Sequence, residues 1–199
     1  MFIIVAATLA RADPVAPDPA PVAAEPRERV LVLGAPLPGA EPGWVAGLGD
    51  CLQERLPGRY QVLDRRDAAT TWASLPTVFD DIGTHTASRI VVALPPEEAP
   101  KVDVAALQRA LASLEVPPRR VWLLPALPIR PDRRGSAYQE LSGLAAKKLT
   151  LSVLDPWKNL GETEVETASS TWLSEGMVTA AGQVRVASVA CNAVLPRTP

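Results

Sequence analysis

Few residues of this chain could carry out chemistry, and the first to consider lie in a turn. Gly34-Ala35-Pro36 follows an apolar, β-branched run, and the turn after a first parallel strand lies at the edge of the sheet where ligands bind. A nucleophilic serine needs its hydroxyl, an adjacent base and N–H donors for the developing oxyanion. Ala35 and Pro36 carry no hydroxyl, and Pro36 also lacks a backbone N–H. The turn therefore cannot supply a catalytic nucleophile.

A general base is equally hard to find, because the chain contains one histidine, His85. His85 precedes the third predicted strand, which places it at the amino edge of a parallel sheet, opposite the ligand-binding edge. We therefore expect a solvated loop residue rather than a base. Gly34 to Gly39 is not a phosphate-binding loop, since no Lys-Ser/Thr pair follows Gly39. The cysteines show no metal-ligand spacing, so neither a metal nor another cofactor is predicted.

Polar residues follow the predicted second and third strands and recur before the last helix. They are Arg65, Arg66, Asp67, Glu97, Glu98, Ser174 and Glu175. These residues either line a polar cleft that recognises a sugar or a peptide, or form a solvated loop rim. Trp157 and Trp172 also allow two interpretations: an aromatic platform for a carbohydrate or a partner, or a staple that holds a loop to the domain.

The elements that must position these residues alternate along the chain. Short β-branched runs predict strands at residues 29–34, 60–64, 89–94, 120–125 and 150–155. Helical spacing of apolar residues predicts helices at 44–56, 68–82, 102–114, 136–148 and 179–195, the second interrupted by Pro76. Residues 156–178 are predicted to form a long loop. This alternation predicts an α/β fold of three layers, α/β/α, with a doubly wound five-stranded parallel sheet.

Cys51 and Cys191 are the only cysteines, and each lies on the apolar stripe of a predicted helix. In such a sheet the first and last helices pack on the same face, so the two side chains can be neighbours. A disulfide is one interpretation, and it suits an exported protein. Two separate buried thiols, packed as small hydrophobic side chains, are the other.

The N-terminus has the features of an export signal. An apolar run ends in Ala10-Arg11-Ala12, the small-x-small form of a signal-peptidase site, so residues 1–12 are predicted to be a signal peptide. A disordered or strand-forming N-terminus is the alternative. Residues 13–28, rich in Pro and Ala, are predicted to be an extended linker, and residues 29–196 a single domain. The expected location is periplasmic or extracellular.

Charge and hydropathy argue against a nucleic-acid partner and against an integral membrane segment. The 20 basic and 22 acidic residues are interspersed and give a formal net charge of −2, which provides no basic surface for a nucleic acid. No apolar stretch reaches the roughly 20 residues that a membrane-spanning helix needs. We therefore expect neither a nucleic-acid partner nor an integral membrane segment.

Two short motifs resemble those of the SGNH (GDSL-type) hydrolases. They are Gly34-x-x-Leu37 after the first strand and Thr179-Ala180-Ala181-Gly182-Gln183 leading into the last helix. By element order the resemblance extends over residues 29–195. It implies the fold of that family, in which Gly-Asp-Ser-Leu forms the first turn and Asp-x-x-His precedes the last helix.

The positions where the catalytic motifs of that family would fall carry other residues. They are Ala35 and Pro36 at the first turn, Asp67, Pro95 and Glu97 at the next two motifs, and Ser174 and Met177 before the last helix. Pro36 stands at the nucleophile and Met177 at the histidine. Pro95 removes a backbone donor, and ionised Glu97 replaces an amide donor with an acceptor. Because losing one oxyanion donor costs about 10² to 10³ in turnover, the resemblance implies a member without catalysis.

These observations favour a catalytically inactive SGNH-like domain that is exported and acts as a binding or scaffolding module for a glycan or a protein. Two alternatives remain open. One is an esterase or acetyl-group hydrolase with a rearranged active site, and the other is a structural subunit of an envelope assembly.

Overall fold

Five parallel strands form the central sheet of the computed structural model, which describes residues 28–39, 43–82, 87–94, 103–114, 116–125, 143–144, 148–157, 160–175 and 177–196. The strands are β1 (Glu28–Gly34), β2 (Tyr60–Asp64), β3 (Arg89–Leu94), β4 (Val121–Pro125) and β5 (Ser152–Val153). Their order is β2-β1-β3-β4-β5. The chain thus moves to one side of β1 and then to the other, as a doubly wound sheet requires, and the predicted fold class is confirmed.

Five helices flank this sheet within the described part of the chain. They are α1 (Trp44–Arg55), α2 (Leu75–Ile82), α3 (Val104–Ser113), α4 (Glu162–Trp172) and α5 (Ala180–Val194). Side-chain caps begin two of them, since Asp103 accepts from the N–H of Ala106 and Thr179 accepts from the N–H of Gly182.

Alternate residues of each central strand face opposite helical layers. In β1, Val30 and Val32 belong to the core beneath α1 and α5, whereas Leu31 and Leu33 face α2 and α3. All six residues of β3 are buried. A strand buried on both faces has no polar alternation, which is why continuous apolar runs predicted β1 and β3 correctly.

Two predicted elements, the second helix and the fifth strand, are shorter in the structure than predicted. Residues 68–74 form turns rather than helix, and Pro76 occupies the first turn of α2 instead of interrupting it. Proline is tolerated there because the first N–H groups of a helix have no partner within it. The fifth strand is limited to Ser152–Val153, shorter than the predicted 150–155.

The predicted loop at 156–178 is wrong, because it contains α4 and a hairpin of β6 (Leu173–Ser174) and β7 (Met177–Val178). Val165, Ala168 and Trp172 pack on the core at helical spacing. The hydroxyls of the Thr- and Ser-rich outer face bond back to helix carbonyls, as Thr167 does to Thr163. The abundance of Thr and Ser residues is why the segment was predicted to be a loop.

A disulfide joins Cys51 of α1 to Cys191 of α5, with the two Cα atoms 6.3 Å apart. The disulfide interpretation is therefore confirmed over that of two free thiols. Within the described residues, no helix is both long and apolar enough to cross a membrane. The predicted signal peptide and linker, and most of the predicted helix at 136–148, lie outside the described residues, although β1 already begins at Glu28.

Candidate functional site

The first turn leaves β1 at a glycine that no other residue could replace without movement of the backbone. Gly34 has a φ of +105°, and a Cβ added to it would lie 1.9 Å from the carbonyl oxygen of Ala93 in β3. Directly after it, the N–H of Ala35 donates to the same oxygen over 3.0 Å. The turn is thereby fixed against the carboxyl end of β3, with Ala35 half-buried and Pro36 exposed.

The hairpin of β6 and β7 is joined to this first turn. The N–H of Val178 donates to the carbonyl oxygen of Pro38 over 2.7 Å, and Gly39 forms a parallel bridge with Val178. A Cβ at Gly39 would lie 2.1 Å from the Val178 carbonyl oxygen, so the close approach requires glycine. The two segments therefore share one surface at the carboxyl edge of the sheet.

We name this area the turn–hairpin surface. It comprises the exposed residues Pro36, Pro38, Ser174, Glu175 and Met177. The structure thus brings together the first turn and the two positions before the last helix, which are far apart in sequence. The side chain of Met177 is 51% exposed, although it is a large hydrophobic residue.

The residues at the start of α5 make contacts that hold the helix in place. Thr179 caps the helix, accepting from the N–H of Gly182 over 3.2 Å. Gly182 approaches the carbonyl oxygen of Trp172 so closely that a Cβ would lie 2.5 Å from it. Gln183 is only 4% exposed, and its Oε1 accepts from the backbone N–H of Trp44 over 2.8 Å. This motif therefore fastens the starts of α5 and α1 to each other.

At the end of β2, charged side chains bond to one another. Arg66 forms an ion pair with Asp64 at 2.7 Å, and its guanidinium lies 5.6 Å from the centre of the Trp44 ring. The hydrogen bonds from Arg66 hold the pKa of Asp64 below its usual value, against a smaller opposing effect of burial. This pair holds the loop after β2 against α1.

Asp67 and Arg65 differ from Arg66 in what they contact. The N–H of Asp67 donates to the carbonyl oxygen of Gly34 over 2.8 Å, and its carboxylate accepts from the N–H of Ala69 over 2.8 Å. Asp67 therefore lies beside the first turn, with its carboxylate engaged in a local turn. Arg65 is exposed and lines a groove on the side of the sheet that α2 covers.

Trp157 and Trp172, the last residue of α4, pack against each other. Their ring centroids are 4.9 Å apart, and Trp157 is only 2% exposed. Arg185 lies over the Trp172 ring at 5.5 Å and donates from Nε to the carbonyl oxygen of Pro156 over 2.8 Å. This arrangement fits the staple interpretation, because Trp157 has no exposed face to offer a carbohydrate.

Several predicted site residues lie outside the described part of the chain. They are His85, Pro95, Glu97 and Glu98. Among the residues that are described, no group of three or more His, Cys, Asp or Glu side chains could hold a metal ion. The turn–hairpin surface itself offers one hydroxyl, that of Ser174, and one carboxylate, that of Glu175.

One hydrogen bond of this region joins two residues that were not among the predicted site residues. Trp44 and Gln183 were interpreted only as members of an apolar stripe and of a family motif, yet together they tie α1 to α5. A glutamine among the buried positions of an otherwise apolar helix face was the available signal, because a buried amide needs a partner.

The comparisons leave the family of this chain undetermined. No protein-family model matches the chain, and no curated protein sequence matches it at a significant level.

Proposed function

We propose that this chain is a non-catalytic, exported α/β domain that binds a protein partner through the turn–hairpin surface, with the SGNH hydrolases as the family it is related to. The observation that carries the proposal is Met177. Its half-exposed apolar side chain stands on a rigidly hydrogen-bonded hairpin, at the position where the resemblance expects a catalytic histidine.

The chemistry of the surface argues against catalysis. Its one hydroxyl belongs to Ser174, and a serine is a weak nucleophile without an adjacent base. The described residues include no histidine that could serve as that base, and the single histidine of the chain, His85, lies outside them. Pro36, at the expected nucleophile, has neither a hydroxyl nor an N–H.

A protein is a better match for this surface than a glycan. Methionine is enriched at protein interfaces, where its flexible thioether adapts to a partner. Pro36 and Pro38 add rigid apolar area that loses little conformational entropy on binding. A glycan site would instead need an open aromatic face, whereas Trp157 is buried and the half-buried Trp172 ring lies between Trp157 and Arg185.

The disulfide supports export. The Cys51–Cys191 bond is of the kind that forms in oxidising compartments and is rare in the cytosol of mesophiles. Together with the small-x-small sequence Ala10-Arg11-Ala12, it favours a location in the periplasm or outside the cell.

Site-specific photo-crosslinking tests the binding role. The protein carrying Met177→p-benzoylphenylalanine is irradiated in an envelope extract, beside a control with the same substitution at Arg109, an exposed residue of α3. We expect one dominant protein adduct that depends on position 177. Identical adducts from both positions, or none from position 177, would contradict the proposal.

An aryl acetate assay tests the competing esterase hypothesis. We expect the purified protein to hydrolyse the ester no faster than buffer, and a serine-directed phosphonate to leave Ser174 unlabelled. Turnover that the phosphonate inhibits and that Ser174→Ala abolishes would establish a rearranged active site and overturn the non-catalytic assignment.

A further inference from the structure

A groove of about 380 Å³ lies on the side of the sheet opposite α1 and α5, away from the turn–hairpin surface. Its apolar lining comes from β1, from β2 and from α2. The main contributors are Leu31, Leu33, Leu63, Val78 and Ile82. This volume falls within the roughly 300 to 1,000 Å³ of sites that bind small molecules.

The groove exists because α2 is short. α2 spans only Leu75–Ile82, and residues 68–74 form turns, so the helical layer covers β3 more fully than the outer strand β2. Leu63 is consequently only partly buried, whereas Leu31 and Leu33 on the neighbouring strand are buried. The apolar area that a ligand would remove from water, with a favourable free energy, therefore belongs mainly to the half-buried Leu63 and Val78.

The charges at the two ends of the groove differ. Arg65 lines the end nearer the carboxyl edge of the sheet, and no acid among the described residues forms an ion pair with it. Among the described residues, the opposite end carries one cation and one anion, Arg29 and Asp81. A ligand that complements the groove therefore has an apolar body and a single negative charge at the Arg65 end.

We infer that this groove binds a monocarboxylate with a medium-length alkyl chain, the chain lying along Leu63 and Val78 over the floor formed by Leu31 and Leu33, and the carboxylate paired with Arg65. A guanidinium presents N–H groups in a fork that matches both oxygens of a carboxylate. Four residues of parallel strand span about 13 Å, which accommodates the chain between Arg65 and the opposite end of the groove.

Titration of the full chain with decanoate, followed by NMR of isotope-labelled methyl groups, tests the inference, with decanol as an uncharged probe of the same length. We expect saturable shifts at the methyl groups of Leu31, Leu33 and Leu63. Shifts that fail to saturate, or that map outside the groove, would overturn the inference.

Two variants separate the charge from the apolar contact. Arg65→Ala should weaken decanoate binding about three- to tenfold, because a partly exposed ion pair contributes modestly, and should leave decanol binding unchanged. Val78→Phe should weaken both probes by filling the groove. Arg109→Ala, the matched loss of an exposed arginine on α3, should change neither. Equal effects of Arg65→Ala and Arg109→Ala, or undiminished binding by Val78→Phe, would contradict the assignment.

Discussion

The backbone N–H of Val178 donates a hydrogen bond of 2.7 Å to the carbonyl oxygen of Pro38. Met177 directly precedes Val178, and Pro36 lies two residues before Pro38, so this one bond holds the expected base and nucleophile positions at the same edge of the sheet. The first turn and the hairpin are therefore joined in one hydrogen-bonded framework. Such a framework presents a rigid surface, and rigidity lowers the entropic cost of binding a partner.

The close approach of Gly34 to Ala93 gives a direct test of the first turn. Gly34→Ala should lower the free energy of unfolding by about 3 kcal/mol or more, because the backbone must move to relieve the contact. Gly58→Ala is the matched control, with a φ of +68° but no atom within 4 Å of the added Cβ, and should cost about 1 kcal/mol. Equal costs in urea unfolding would show that the contact with β3 does not constrain the turn.

The buried amide of Gln183 should be important for stability rather than for chemistry. Gln183→Ala leaves the N–H of Trp44 without its acceptor, which should cost about 1 to 3 kcal/mol. Gln61→Ala, at an exposed position of β2, should change the free energy of unfolding by less than about 0.5 kcal/mol. Chemical denaturation of both variants checks this. A Gln183→Ala protein as stable as the parent would contradict the stabilising role of the hydrogen bond between α1 and α5.

The ion pair of Asp64 with Arg66 predicts a specific pH dependence. The pKa of Asp64 is depressed in the folded state. The stability that its ion pair contributes is therefore fully present above the unfolded pKa of about 3.9 and is lost as the pH falls through the folded pKa. Since the Asp64 side chain is 42% exposed, we expect at most about 1 kcal/mol. Unfolding of the parent and of Asp64→Asn should differ at neutral pH and converge in acid. A constant difference across that range would contradict this assignment.

The Cys51–Cys191 bond closes a loop with a sequence separation of 140, and its removal should cost about 2 to 5 kcal/mol. Reductant should therefore lower the urea midpoint of the parent. The double variant Cys51→Ala and Cys191→Ala should already be destabilised and should not respond to reductant. A parent protein that is equally insensitive would show that the bond contributes nothing to stability.

Much of the fold was predictable because the sheet is buried on both faces. The runs that form β1 and β3 are continuous and apolar, and the apolar stripes of α1 and α5 placed Cys51 and Cys191 on facing helices. α4 was missed, because Thr167 and its neighbours satisfy their hydroxyls on the carbonyls of their own helix, which sequence composition does not reveal.

The site was less predictable than the fold, because its contacts join distant segments. The bridge between Gly39 and Val178 depends on tertiary packing, as does the hydrogen bond from Trp44 to Gln183. Arg65 and Arg66 are adjacent in sequence, yet one lines the groove below α2 and the other lies over Trp44. Which side of the sheet each arginine faces depends on the path of the chain after β2.

The affinity of Met177 variants for the crosslinked partner tests the central claim most directly. Met177→Asp should weaken binding at least about tenfold, or about 1.4 kcal/mol, while Met177→Leu should stay within about threefold because it keeps apolar volume. Ala105→Asp, at an exposed position of α3, is the control for an added acid and should have no effect. The account predicts this ranking in calorimetric titrations, and unchanged affinity of Met177→Asp would contradict it.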